Sequence, residues 1–388
     1  MNVEAATARY IDGLGAANLE KAAAYTNGNH WILLWNLVVA GLVTWAIVKW
    51  GLLDRIENRI GERRRGLRTF TVSLTYFLVS AVIALPWTIY EGWFRETSYG
   101  RTSQPVGDFL FQSALSTVIS SLVAALLLMG VYWLIRRTGR RWWLWSGGLV
   151  AAALAFIILL SPVLIEPLFN KYEAVPAGQV RDAVVEMAGR AGIPPEKIYM
   201  YNGSRQSNNF TANAGGVGNT ARVAISDVAL KAASLDEVRA VTGHEIGHYV
   251  LKHTWYGILF FSVAAIVLFW LADRLFPRFA RAFGSSASVG DPRGLPVLMF
   301  MGAAFMLLIS PLLNSFARTI ETQADVYSLE TENKPDGLAS ALVKTAEYRY
   351  PRPGKVEEIV FYDHPSVEAR VRRAMQWKAD HPPATSQQ

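Results

Sequence analysis

The chain has 388 residues, a formal charge of +7, no cysteine and 52% hydrophobic residues. The lack of cysteine excludes disulfides, thiolate metal ligands and a cysteine nucleophile, and leaves the compartment open. The basic residues gather in short clusters beside apolar runs (Arg63, Arg64 and Arg65; Arg136, Arg137, Arg140 and Arg141) and no nucleic-acid motif accompanies them, so no nucleic acid is expected as a partner.

Residues 1–30 read as a polar, partly helical lead with no secretory apolar core. Residues 31–165 carry four candidate transmembrane helices: 31–50, whose only charge is Lys49 at its end, and 69–90, 109–135 and 142–165, none of them charged. Two further uncharged runs, 254–272 and 294–317, bring the count to six. Each reaches about the twenty residues that cross a hydrocarbon core. Trp31, Trp50, Trp93, Trp133, Trp142, Trp143 and Trp145 gather near the ends of these runs, where an interfacial belt sits. A multi-pass protein in a cell or inner membrane is expected, with the lipid bilayer as a partner.

Two soluble segments remain, 166–253 and 318–388. In the first, the spacing of Val180, Val184, Val185 and Met187 predicts a helix over 178–191, which Pro194 and Pro195 end. Strands are predicted over 197–201 and 221–226. Between them Gly215, Gly216 and Gly218 lack the spacing and the Lys of a phosphate loop and read as a turn near a sheet edge. Ser234 followed by Glu237 is a capping box that opens a helix predicted over 235–252. The last residues, 382–388, read as a frayed tail.

That helix carries His244-Glu245-Ile246-Gly247-His248. Positions i and i+4 share one helix face, so both imidazoles can reach one metal ion. A carboxylate beside them suits a general base acting on water, and neutral nitrogen ligands suit one Zn2+ ion. Two histidines leave a catalytic zinc site one ligand short. Glu321 is the expected third ligand: it follows the last apolar run, and the two intervening spans return it to the face that holds His248. Asp325, one turn on, is expected to hydrogen-bond a ligand imidazole and fix its tautomer. The predicted fold class is therefore mainly α: a polytopic helical membrane protein of about six spans with a small α+β zincin catalytic domain split between 166–253 and 318–388.

The ordered set of H-E-x-x-H, two spans, Glu321-x-x-Ala324-Asp325, and His364-Pro365-Ser366 with Arg370 resembles the integral-membrane CAAX prenyl protease family (type I), zinc gluzincin metallopeptidases. Leu85-Pro86-Trp87 with Tyr90, the stretch 162–171, Thr211-Ala212-Asn213-Ala214 and the stretch 222–227 extend the likeness over roughly residues 85–377. The resemblance implies His244, His248 and Glu321 as zinc ligands and Glu245 as general base. It implies that Asn213 and Ala214 lie on an edge strand that pairs with an extended peptide, and that His364 and Arg370 face the site and stabilise the oxyanion. The expected activity is peptide-bond hydrolysis on a peptide or protein substrate, which in the family is C-terminal CAAX processing of prenylated chains. An HtpX-type quality-control protease for membrane proteins is the alternative enzyme, and a zinc-stabilised membrane scaffold the alternative outside catalysis. Family members typically have seven spans and face the cytosol. Here six are counted, and the Arg-rich short loops instead place the zinc domain on the extracytoplasmic side.

Overall fold

The computed structural model describes residues 1–388 except 61–63, 210, 217–219, 347–348 and 383–388. Arg63, Gly218 and the tail from 383 onward therefore lie outside the described residues. The chain opens with α1 (Val3–Asp12), whose first turn is capped by the Asn2 side chain. In α2 (Ala16–Trp50) the second half of the polar lead runs without a break into the first apolar stretch, so lead and span are one helix. A short amphipathic α3 (Leu52–Ile60) turns the chain back. Next comes α4 (Arg65–Ile89), which contains Pro86 and passes through a π-helical turn at Tyr90–Phe94 into α5 (Arg95–Ser98).

Next come α6 (Val106–Thr138) and α7 (Trp142–Leu160), joined by the turn Gly139–Arg141. They lie so close that a Cβ at Gly130 would stand 2.6 Å from Leu149 Cδ2. Among the described residues five stretches are long and apolar enough to cross a membrane, and the 53-residue stretch 106–158 is this hairpin. The apolar runs read from the sequence thus map onto α2, α4, α6, α7 and the two long helices below.

The first soluble segment holds β1 (Tyr172–Ala174), α8 (Gln179–Arg190), β2 (Ile198–Tyr201), β3 (Ala212–Gly215), β4 (Arg222–Ser226) and α9 (Asp227–Ala232). The sheet order is β1-β2-β4-β3. β2 runs parallel to β4 with Ile198 opposite Val223, and β3 runs antiparallel to β4 with Asn213 opposite Ala224. β4 is buried along its whole length, while β3 forms one edge. Gly216 takes φ +84 just past β3, where a Cβ would collide with the Thr220 backbone. That φ and the nearness of the Thr220 backbone demand glycine there.

α10 (Leu235–Val250) begins with the predicted box: Ser234 Oγ accepts from Glu237 N and the Glu237 carboxylate accepts from Ser234 N. The long helices α11 (His253–Phe283) and α12 (Leu295–Glu332) then cross and return. α12 is continuous past the membrane edge, and so carries Glu321 and Asp325 rigidly into the soluble portion. α13 (Pro335–Lys344), α14 (Lys355–Phe361) and α15 (Val367–Asp380) complete the chain.

Three apolar clusters hold this arrangement. One, inside the membrane bundle, includes Val72, Tyr132, Trp142, Phe276, Leu295 and Met301. A second packs α8 and α10 on the sheet through Val184, Met187, Val223, Ile225 and Ile246. The third joins α1 to α13 and α15 through Ile11, Leu338, Leu342, Val371 and Met375. The N-terminal helix is thus docked: Tyr10 Oη donates to Asp336 Oδ1 at 3.0 Å and Arg352 Nη1 to Asp12 Oδ1 at 2.8 Å.

Candidate active site

The site forms where α10 touches α12. Gly243 and Gly247, each one residue before a histidine, permit the contact: a Cβ at Gly247 would lie 3.0 Å from Tyr327 Cδ1 and 3.3 Å from Ala324 Cα, and one at Gly243 would lie 3.0 Å from Ser328 Oγ. With the backbones that close, Ser328 Oγ donates to Ala240 O at 2.6 Å.

Among the described residues one group of metal-ligating side chains converges, namely His244, His248 and Glu321. The two Nε2 atoms are 3.1 Å apart, and Glu321 Oε2 and Oε1 stand 3.2 Å and 3.4 Å from them. Ligands 2.0–2.1 Å from a tetrahedral metal are separated by about 3.4 Å, so the triangle has the size of one face of such a site. Glu321 Oε2 is buried without a hydrogen bond. A buried carboxylate oxygen left in that state is costly unless a cation completes it, which makes these residues fit a metal.

The second layer is well formed. Asp325, fully buried, accepts from His244 Nδ1 at 3.0 Å, leaving Nε2 free to coordinate. Arg370 Nε and Nη2 donate to Asp325 at 2.9 and 2.6 Å, and Arg373 Nη1 donates to it at 3.2 Å. Burial opposes a charge on His244, but the nearby carboxylates of Asp325 and Glu321 outweigh it and hold its pKa up at about 9. Glu245 lines the same cavity next to β3, where enclosure pushes its carboxyl above the ordinary range against the pull of His244, His248 and the Ala214 N–H.

A cavity of about 220 Å³ opens in front of Glu245. His244, Glu321, His364 and Arg370 line it on one side, and Leu338, Ala341 and Leu342 of α13 form an apolar wall. His364 Nε2 is 3.2 Å from Glu321 Oε2, and its Nδ1 pairs with Asp363 Oδ1 at 2.9 Å. Asn213 and Ala214 occupy the edge strand β3.

His244, Glu245, His248, Glu321, Asp325, His364 and Arg370 are thereby brought together, with two differences in placement. At β3 the cavity is lined by Thr211 and Ala212, while Asn213 and Ala214 stand further along the strand. Arg370 reaches the cavity, but its Nε and Nη2 are engaged by Asp325 behind the histidine. Sequence reasoning passed over His253 and Gln323. His253 Nδ1 lies 2.9 Å from His248 Nδ1, and its Nε2 2.9 Å from Gln323 Oε1. The available signal was numerical: three of the six histidines fall within 244–253.

Comparison with known proteins agrees with this geometry. Residues 174–378 match the family described as Peptidase family M48, and residues 6–171 match the family described as CAAX prenyl protease N-terminal, five membrane helices. The uncharacterized metalloprotease YhfN of Bacillus subtilis is 28% identical, over 89% of this chain and 80% of its own length. CAAX prenyl protease 1 of Saccharomyces cerevisiae is 26% identical, over 75% of this chain and 71% of its own. The crystal structure of S. mikatae Ste24p shares the fold, with a TM-score of 0.76 at 18% identity over 96% of this chain and 94% of that one. The first match spans more than half of the sequence and contains every converging side chain, and the second runs through the membrane helices: the chain belongs to peptidase family M48 and is an integral-membrane metalloprotease with a membrane portion of the CAAX prenyl protease type.

Proposed function

We propose that the chain is a zinc endopeptidase that removes C-terminal CAAX-type tripeptides from prenylated partners at the membrane. The observation that carries this reading is the triangle of His244, His248 and Glu321 with Glu245 beside it, opening between the edge strand β3 and an apolar wall. A zinc ion held there would supply Lewis-acid polarisation of the scissile carbonyl and acidify water. Glu245 takes the proton from the attacking water and passes it to the leaving amine, so that one water adds across one peptide bond. The raised carboxyl of Glu245 suits both halves of that task.

The edge strand β3, which carries Asn213 and Ala214, is assigned to pairing with an extended peptide through the main-chain groups that face away from β4, leaving the peptide's side chains to the cavity. Leu338, Ala341 and Leu342 then receive aliphatic side chains of the segment that is released. His364 is assigned to the developing oxyanion. Arg370 is assigned to holding Asp325, and through it His244, rather than to the oxyanion directly. Our reading puts the catalytic portion outside the cytoplasm. It is supported by Arg136, Arg137, Arg140 and Arg141 at the α6–α7 turn and Arg278 and Arg281 near the end of α11, which lie at the helix ends away from the site and favour the cytoplasm.

The test is a cleavage comparison in detergent or liposomes. A farnesylated peptide ending in a CAAX sequence should lose its last three residues, and Glu245→Gln should abolish this while retaining zinc. Preference for an unfolded membrane protein, cut internally, would instead favour the quality-control reading. A reporter active only in the cytoplasm, fused after Gln388, should be silent; activity would reverse the orientation and leave the chemistry standing.

A further inference from the structure

We propose that His253 is a positioning residue for His248, fixing the tautomer of that ligand through a hydrogen-bonded chain that ends on Gln323. The proposal rests on the metal-centre reading above. His248 Nε2 faces His244 Nε2 at 3.1 Å and Glu321 Oε1 at 3.4 Å, so a metal placed among them needs the Nε2 lone pair. The proton of a neutral ring must then sit on Nδ1. That atom is 2.9 Å from His253 Nδ1, which has to accept it. An accepting Nδ1 puts the His253 proton on Nε2, and there, at 2.9 Å, stands the amide oxygen of Gln323.

Each link forces the next. With the opposite polarity, His253 would donate from Nδ1, His248 would accept, and the His248 proton would point into the metal position. The direction is set by the metal position, which needs the His248 Nε2 lone pair, and the Gln323 amide with its oxygen toward His253 Nε2 accepts the last proton of the chain.

The backbone is shaped for this contact. α10 ends at Val250 and α11 begins at His253, with Lys252 between them at φ 59, ψ 30, the left-handed region that non-glycine residues seldom occupy. That reversal returns His253, only 4% exposed, beneath the histidine five residues before it. Backbone strain of this kind persists where surrounding structure demands it. α12 then serves both ligand histidines: Asp325 supports His244 directly, and Gln323 supports His248 through His253. Because His253 is the first residue of α11, the relay also ties the entry of one membrane helix to the exit of the other.

The test uses the full chain purified in detergent as wild type, His253→Ala, His253→Asn and Gln323→Leu. Zinc affinity is read by chelator competition, the ligand field by the visible spectrum of the cobalt-substituted protein, and folding by thermal unfolding of the metal-free form. His253→Ala should weaken zinc about 10–100-fold and alter the cobalt spectrum, with metal-free unfolding little changed. His253→Asn, whose Oδ1 can accept from His248 Nδ1, should recover most of the affinity. Gln323→Leu should lose less than His253→Ala, since one link of the chain survives. Wild-type affinity and spectrum in His253→Ala, or an Asn variant no better than Ala, would overturn the relay. Should His253→Ala fail to fold, Gln323→Leu decides: weakened zinc at unchanged stability supports the chain, and unchanged zinc refutes it. A wild-type protein that binds no zinc would remove the metal-centre reading first and this proposal with it.

Discussion

The two ends of α12 carry charged clusters of similar composition and different character. At the start, Arg293 lies among three carboxylates: it donates to Asp54 Oδ1 at 3.1 Å and to Asp291, and it pairs with Glu57, which also faces Arg68 Nε at 3.1 Å. Toward the other end, Asp325 lies between His244, Arg370 and Arg373, and Glu321 faces three imidazoles while one of its oxygens stays without a hydrogen bond. The first cluster brings acid against guanidinium and joins α3 and α4 to the mouth of α12, as a structural clamp does. The second leaves a buried acceptor and two lone pairs aimed at a common point. Arg68 Nε in the first cluster is also buried without a hydrogen bond. It is therefore the convergence of metal-ligating atoms on one point, more than the number of charged groups or their satisfaction, that separates the clamp from the candidate site.

The sharpest way to break this comparison is to remove a ligand. His244→Ala, His248→Ala or Glu321→Ala should abolish both bound zinc and turnover, read by metal analysis and a peptide assay. Glu245→Gln comes next: zinc should remain while kcat falls by roughly 10²–10⁴, and unchanged cleavage would end the general-base assignment. Asp325→Ala leaves two guanidinium groups and one imidazole N–H without their buried partner. A loss of about 3–5 kcal/mol is expected, with zinc bound more weakly, measured by thermal unfolding and chelator competition. Arg293→Ala at the far end should cost less, on the order of 1 kcal/mol, because its side chain is about a third exposed, and its zinc content should equal wild type. A change in zinc there would show that the two ends are not separable. Ser234→Ala, removing the cap of α10, should have the smallest effect, about 1 kcal/mol, without altering the metal.

Much of this was legible in the chain. Long uncharged runs can be satisfied only by helices in a bilayer, since every backbone polar group must find its partner internally. α6 and α7 therefore follow from composition alone. The box of Ser234 and Glu237 is equally local, and it appeared as read. The boundary of the polar lead was less legible. Residues 16–30 join α2, because nothing between Ala16 and Trp50 stops a helix once begun. α1 shows its apolar face only when α13 and α15 are there to cover Ile11.

The membrane helices, the i, i+4 pair of histidines with its adjacent carboxylate, and the return of Glu321 to their face could all be read along the chain, because each depends on period or on counting crossings. Where Arg370 delivers its charge, and that His253 stands behind His248, came from the packing of separate helices. The first depends on how α15 approaches Asp325, 45 residues away in sequence. The second depends on one left-handed residue, Lys252, folding α11 back on α10. Contacts set by the docking of separate helices leave no periodic trace along the chain, whereas contacts within one helix are written in its spacing.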